Sequence, residues 1–158
     1  MHVTLYSDGA ARGIPDGPGG YGCVLLYVDG KGTLHVREFS AGYVKTTNNR
    51  MELMAVIVGM EALVKPCQVT VVSDSKYVTD AFNQHWVDSW LKNGWKTSTK
   101  KPVKNKSLWL RLLKAMEPHE VKFQWIKGHA GHPENERCDE LATTAADGDN
   151  LLIDSMEE

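Results

Sequence analysis

No run of about 20 apolar residues occurs in this 158-residue chain, so a membrane-spanning helix is excluded from the expectations. A cleavable leader is not expected either, because strand-like sequence starts almost at Met1. Cysteine is scarce: Cys23, Cys67 and Cys138 are odd in number and lack metal-ligand spacing. That speaks against a disulfide scaffold or a thiolate metal site, and leaves packing thiols in a reducing, cytoplasmic compartment. Acidic residues are missing from one whole stretch. Between Ser89 and Met116 the chain carries Lys92, Lys96, Lys100, Lys101, Lys104, Lys106, Arg111 and Lys114 and no Asp or Glu. The net charge is −2, so this window holds +8 and the remainder −10. A basic block inside an acidic protein suits a polyanion held away from an acidic centre; a solvated lysine-rich hairpin would carry the same pattern. Trp86, Trp90, Trp95 and Trp109 lie in or beside the block, which favours nucleic acid over other anions. Trp86 and Trp90, four residues apart, share a helix face suited to packing. Trp95, between Gly94 and Lys96, is expected to be the surface aromatic.

What is present is ordinary globular material of single-domain size, 42% hydrophobic and 24% charged. Two apolar strands end in the same dipeptide: Val3-Thr4-Leu5-Tyr6-Ser7-Asp8 and Val69-Thr70-Val71-Val72-Ser73-Asp74. Carboxyl ends of strands are where open α/β sheets place ligands. Neighbouring strands lie about 5 Å apart, so two such carboxylates side by side raise each other's pKa and call for a divalent cation.

The remaining pattern fixes a topology. A Gly/Pro-rich loop covers 11–20, Asp29-Gly30-Lys31-Gly32 joins strands Tyr21 to Val28 and Leu34 to Tyr43, and Thr47-Asn48-Asn49 caps a helix reaching about Val64. Short helices follow the Asp74 strand from Lys76 to Asn93, then a helix from about Asn105 to Met116, a strand from Val121 to Ile126, and a helix from Pro133 that fades near Gly148. Two hairpins make the first three strands antiparallel; a helical crossover makes the fourth parallel to the first. The second strand occupies one side of the first, so the fourth takes the other, and Asp8 meets Asp74. Residues 1–148 form one domain, and 149–158, with four acids and no base, a flexible acidic tail.

Two further acids have supporting surroundings. Glu52 shares a helix face with Ala55, Val56, Gly59 and Leu63, whereas Glu61 points to solvent; the competing role for Glu52 is a capping-box partner of Asn49. Asp139 follows a loop, Lys127-Gly128-His129-Ala130-Gly131-His132, that presents a histidine between glycines. Imidazole titrates near neutrality and moves protons.

Several segments together resemble bacterial ribonuclease HI: Asp8-Gly9, 46–53 (TTNNRMEL), Ser73-Asp74-Ser75, 128–142 (GHAGHPENERCDELA), and the basic segments 94–97 (GWKT) and 100–105 (KKPVKN). The match runs in order from Val3 to Ala146. The resemblance implies an α/β fold, a ribonuclease H-like five-stranded mixed sheet flanked by helices, with the first three strands antiparallel and the fourth and fifth parallel to the first. It implies an endonuclease that hydrolyses the RNA strand of RNA–DNA hybrids, as in RNA primer removal during DNA replication, leaving 5′-phosphate and 3′-hydroxyl ends. Asp8, Glu52, Asp74 and Asp139 match the metal-binding, catalytic carboxylates, with Mg2+ as cofactor and Mn2+ a possible substitute. His129 matches the proton-handling residue. Thr47, Asn48 and Asn49 match hybrid-contacting positions, and Lys76, Trp86, Lys92, Trp95, Lys96, Lys100, Lys101 and Lys104 are candidates for the remaining contacts with the nucleic acid. A monomer is expected.

Departures from the family's pattern fall outside the acids. Ile14-Pro15-Asp16 lengthens the loop after Asp8, Lys76 replaces a frequent glutamine, and Leu91 and Asn93 stand at often basic positions. Weaker, less salt-sensitive hybrid binding is expected than in a fully basic relative. A haloacid-dehalogenase-like phosphatase would need a second Asp where Ala10 stands. A transposase core would need added DNA-binding domains, and a non-catalytic hybrid binder would have lost acids that are all present here.

Overall fold

The structure, a computed structural model, describes residues 1–13 and 17–155. The departure at Ile14-Pro15-Asp16 and the last three residues lie outside the described residues. Ten elements follow in order: β1 (His2–Ala11), β2 (Gly19–Val28), β3 (Leu34–Tyr43), α1 (Asn48–Glu61), β4 (Gln68–Ser73), α2 (Lys76–Asn83), α3 (Trp86–Asn93), α4 (Lys106–Met116), β5 (Glu120–Trp125) and α5 (Pro133–Ala146). The sheet has strand order β3-β2-β1-β4-β5, with β1–β2 and β2–β3 antiparallel and β1–β4 and β4–β5 parallel. The expected topology is therefore the observed one. Ser7 pairs with Ser73, so Asp8, still within β1 and opposite Gly22 of β2, lies level with Asp74, the first residue past β4.

The helices cover opposite faces. Successive strand residues point to opposite sides, and β2 shows both partners. A Cβ on Gly22 would lie 2.3 Å from the Cys138 carbonyl of α5, whereas Cys23 faces Gly59 of α1. Glycine at 22 thus lets α5 lie directly on the sheet, and Gly59 does the same for α1, where a Cβ would meet Leu5 and Cys23 at 2.6 Å. β1 reads the same way: Val3 and Leu5 fill the core, while Tyr6 feels Glu134 and Cys138 on the α5 side.

α1 is not the one-faced helix its pattern suggests. Arg50 through Ile57 are all buried, because α4 and the sheet enclose it from several directions. Its cap also differs in detail: Thr47 alone accepts the Arg50 N–H, at 3.2 Å, and Asn48 and Asn49 are not buried in the first turn. Glu61 is exposed as expected and pairs with Arg111 at 2.7 Å, which removes one cation from the basic window. The stretch expected to fray beyond Gly148 makes firm contacts. Asp154 receives two guanidinium N–H groups of Arg50 at 2.8 Å and the Thr46 hydroxyl at 2.6 Å. Arg50 also donates to Asn105 at the start of α4 at 3.1 Å. The three cysteines are free and buried. Among the described residues no helix is long and apolar enough to cross a membrane.

Candidate active site

Asp8, Glu52 and Asp74 each offer a carboxylate oxygen within 4.8 Å of the others. Three elements bring them together. Asp8 sits toward the end of β1, Asp74 follows β4, and Glu52 stands in the first turns of α1. Gly9 joins the first and third: its N–H donates to Glu52 and, at 2.9 Å, to Asp8. A Cβ at Gly9 would lie 2.5 Å from the Glu52 backbone nitrogen, so only glycine permits this approach. Glu52 is consequently not a capping-box residue. The Asp8 and Glu52 carboxyls hydrogen-bond to each other, and the Ser75 hydroxyl also reaches Glu52.

Burial drives the electrostatics. Asp8 is held up to about 10, first by desolvation, then by the charges of Glu52 and Asp74, with a further push from Asp139. Glu52 is raised to about 7, again chiefly by desolvation, although its bonds to Asp8, Ser75 and Gly9 oppose the rise. Among the described residues none of the three forms an ion pair, so nothing in the described chain neutralises them. An all-oxygen, uncompensated carboxylate cluster is the donor set of a hard divalent cation. The residues present fit such an ion.

Asp139, half-buried on α5, stands outside the tight triad but close enough to raise Asp8. His129 takes a left-handed backbone, φ 55°, between Gly128 and the Ala130-Gly131 turn, and it is exposed. A non-glycine residue in that region stores strain of about 1–3 kcal/mol, a device found at functional loops.

Several supports of the site went unnoticed in the sequence. Gly128 packs on Asp74, where a Cβ would come within 2.6 Å of Oδ2; Asn135, buried on α5, donates to the same oxygen at 3.5 Å. Trp125 donates its indole N–H to the Asp74 carbonyl at 3.0 Å. Gly128 and Asn135 lie inside the motif around His129 and are legible there as non-acidic members. Trp125 carries no local signal.

The basic segment is exposed at Lys92, Lys96, Lys100, Lys101 and Lys104, and Lys76 is exposed at the start of α2. Its fold depends on left-handed turns at Trp95, Lys100 and Asn105, and Thr97 donates its N–H to Lys101 at 2.8 Å. The tryptophans reverse their expected ranking. Trp86 is 42% exposed, whereas Trp95 is partly buried, its ring 5.7 Å from Trp90, which in turn meets Trp109 edge-on at 5.2 Å. The left-handed turn at Trp95 folds its ring back under the segment, a rotation that side-chain spacing does not encode.

A five-stranded mixed sheet in this order, with buried carboxylates converging at the ends of its central strands, defines the ribonuclease H-like class of metal-dependent nucleases. Comparison with known proteins narrows the class. The RNase H family model matches residues 1–147. A ribonuclease H of Lachnoclostridium phytofermentans is 65% identical over the whole of both chains, and one of Cronobacter sakazakii is 58% identical over 91% of this chain and 87% of its own. The crystal structure of LC9-RNase H1, described as a type 1 RNase H with the type 2 active-site motif, superposes with a TM-score of 0.84 at 33% identity, covering 99% of this chain and 79% of that one. The chain belongs to the RNase H family. It is an endoribonuclease acting on RNA–DNA hybrids, from a family dependent on divalent metal.

Proposed function

We propose that Asp8, Glu52, Asp74 and Asp139 hold the catalytic metal and that His129 handles the proton of the hydrolytic step. The observation that carries this is the triad of oxygens within 4.8 Å, with Asp8 and Glu52 raised by burial and no ion pair to any of the three among the described residues. Asp8, Glu52 and Asp74 would hold the ion from the sheet and α1, and Asp139 would join them from α5. Magnesium, with manganese as substitute, would supply Lewis-acid charge at the phosphodiester and make water acidic enough to attack. Gly9 and Ser75 hold Glu52 in place, and Asn135 and Gly128 hold Asp74. His129, on its loop, takes up or returns a proton at the attacking water or the departing 3′ oxygen. Products carry 5′-phosphate and 3′-hydroxyl ends.

Hybrid discrimination needs contact with 2′-hydroxyls or with helix shape. Thr47, Asn48 and Asn49 lie just ahead of Glu52 in the chain, so a strand seated on the acids passes them. Lys76, Trp86, Lys92, Lys96, Lys100, Lys101 and Lys104 offer the exposed contacts to the backbone, and Trp95 supports them from beneath rather than by stacking. A monomer in a reducing cytoplasm, removing RNA primers during replication, fits the free buried thiols.

The deciding experiment is cleavage of a strand-labelled RNA–DNA hybrid with and without magnesium, with duplex RNA and duplex DNA as controls. RNA cut only in the hybrid, and only with metal, is expected. Cleavage in chelator, or of duplex DNA, refutes the reading.

A further inference from the structure

Trp125 has no part in the chemistry derived above, yet it touches the site twice. As the last residue of β5 it pairs with Ser73 of β4. Its indole N–H donates to the Asp74 carbonyl at 3.0 Å, and Lys76 Nζ lies 4.8 Å from its ring centroid. The residues between these contacts are the corner that joins β4 to α2. Ser75 caps α2 and reaches Glu52; Ile126, next to Trp125, donates its N–H to the Ser73 carbonyl at 3.0 Å. Trp125 as a whole is 42% exposed. Bases within a duplex are already stacked on one another, so an exposed indole beside a bound hybrid has no free base to take.

We propose that Trp125 is a positioning residue for cleavage: its N–H fixes the Asp74 backbone and hence the carboxylate, while its ring seats the Lys76 ammonium for a backbone phosphate of the hybrid. This rests on the reading of Asp74 and Lys76 given above. A cation held on an aromatic face has fewer rotamers to lose when it meets a phosphate, so the seat lowers the ordering cost of that contact. The N–H acts separately. Without it the Asp74 carbonyl is free to turn, and the carboxylate loses one of the restraints that keep it facing Asp8.

The two roles separate by substitution in the full chain. Trp125→Phe keeps the ring and removes the N–H; Trp125→Leu removes both. Binding of a fluorescent hybrid in chelator, followed by anisotropy, reads the lysine without reference to turnover. Lys76→Gln is expected to weaken binding about fivefold in the parent and in Trp125→Phe, and less than about twofold in Trp125→Leu, as coupled neighbours do. In magnesium, Trp125→Phe is expected to lower kcat about tenfold with KM within about twofold, the pattern of an interaction that matters in the transition state. Equal costs of Lys76→Gln in all three backgrounds, or a Trp125→Phe kcat equal to the parent's, overturns the proposal. A merely structural indole would lower the melting temperature of both variants with no such split. If Trp125→Leu does not fold, the Trp125→Phe kcat decides alone. Should the parent fail to cleave hybrid at all, the catalytic reading fails instead, and the two failures are distinct.

Discussion

Replacing Asp8 by asparagine removes one ionisable group from the triad while keeping the side chain's size and its acceptor for the Gly9 N–H. The carboxylate oxygens lie within 4.8 Å of one another, so at an effective dielectric of ~20 one charged pair repels by roughly 3–4 kcal/mol. With Asp8 pushed up to about 10 and Glu52 to about 7, protonation already cancels part of this near neutral pH, which leaves about 2 kcal/mol for the substitution to relieve. For a chain of this size that raises the melting temperature by about 4–8 °C in chelator. The sign of the pH dependence follows from the raised values. Asp8 titrates near 3.8 unperturbed and is pushed up to about 10 in the fold. Across that window the native chain keeps a proton that the unfolded chain has released, so the parent loses stability as pH rises. Asp8→Asn lacks this loss. The gap between the two melting curves should therefore widen from about pH 5 to about pH 8. Circular dichroism melts in chelator read it directly. An equal or lower melting temperature for Asp8→Asn, or a gap that does not grow with pH, refutes the crowding argument.

Asp8→Asn is also expected to cleave no hybrid in magnesium, since it removes one of the carboxylates proposed to hold the metal. His129→Ala should lower kcat about 100-fold while melting within about a degree of the parent, because the side chain lies on a surface loop outside the core and its removal touches only proton transfer. Truncation after Gly148 strips the carboxylate from buried Arg50, and a chemical denaturation series should register a drop in stability of about 3–5 kcal/mol. Hybrid binding should follow salt less steeply than in a relative with basic residues at positions 91 and 93, by roughly 0.7–0.9 in slope for each phosphate left without a cation; an equal or steeper slope counts against a reduced basic surface.

The sheet order was legible because the hairpin turn, the crossover and the matched Ser-Asp strand ends constrain one another. Given two antiparallel neighbours and a parallel crossover, β4 has one free side of β1 to occupy, and the register Ser7 with Ser73 follows. Glu52 was legible as an acid among apolar helical neighbours, although Arg50 through Ile57 are all buried and phase alone did not single it out; its rival role as a cap dissolved once Thr47 proved to hold the α1 start. What the sequence did not disclose depends on backbone turns between elements. The ring of Trp95 turns inward because its φ is 65°, and nothing in Gly94-Trp95-Lys96 encodes that choice. The docking of the tail had no periodicity to announce it, since a single carboxylate at Asp154 meets a guanidinium 104 residues away.

The acids converge for a reason that involves residues with no charge. Glu52 reaches Asp8 because Gly9 has no Cβ to strike the α1 backbone; Asp74 tucks beneath the histidine loop because Gly128 has none; α5, which carries Asp139, rests on the sheet at Gly20 and Gly22. Each missing methyl lets backbone pack closely, and that packing offsets the repulsion of the cluster it creates. Two adjacent substitutions should therefore move stability in opposite directions. Asp8→Asn relieves charge and raises the melting temperature in chelator. Gly9→Ala drives a methyl to 2.5 Å from the Glu52 nitrogen, an overpacking that costs about 1–3 kcal/mol and pushes Glu52 away from Asp8. If both substitutions shift the melt the same way, close backbone approach is not what holds the carboxylates together.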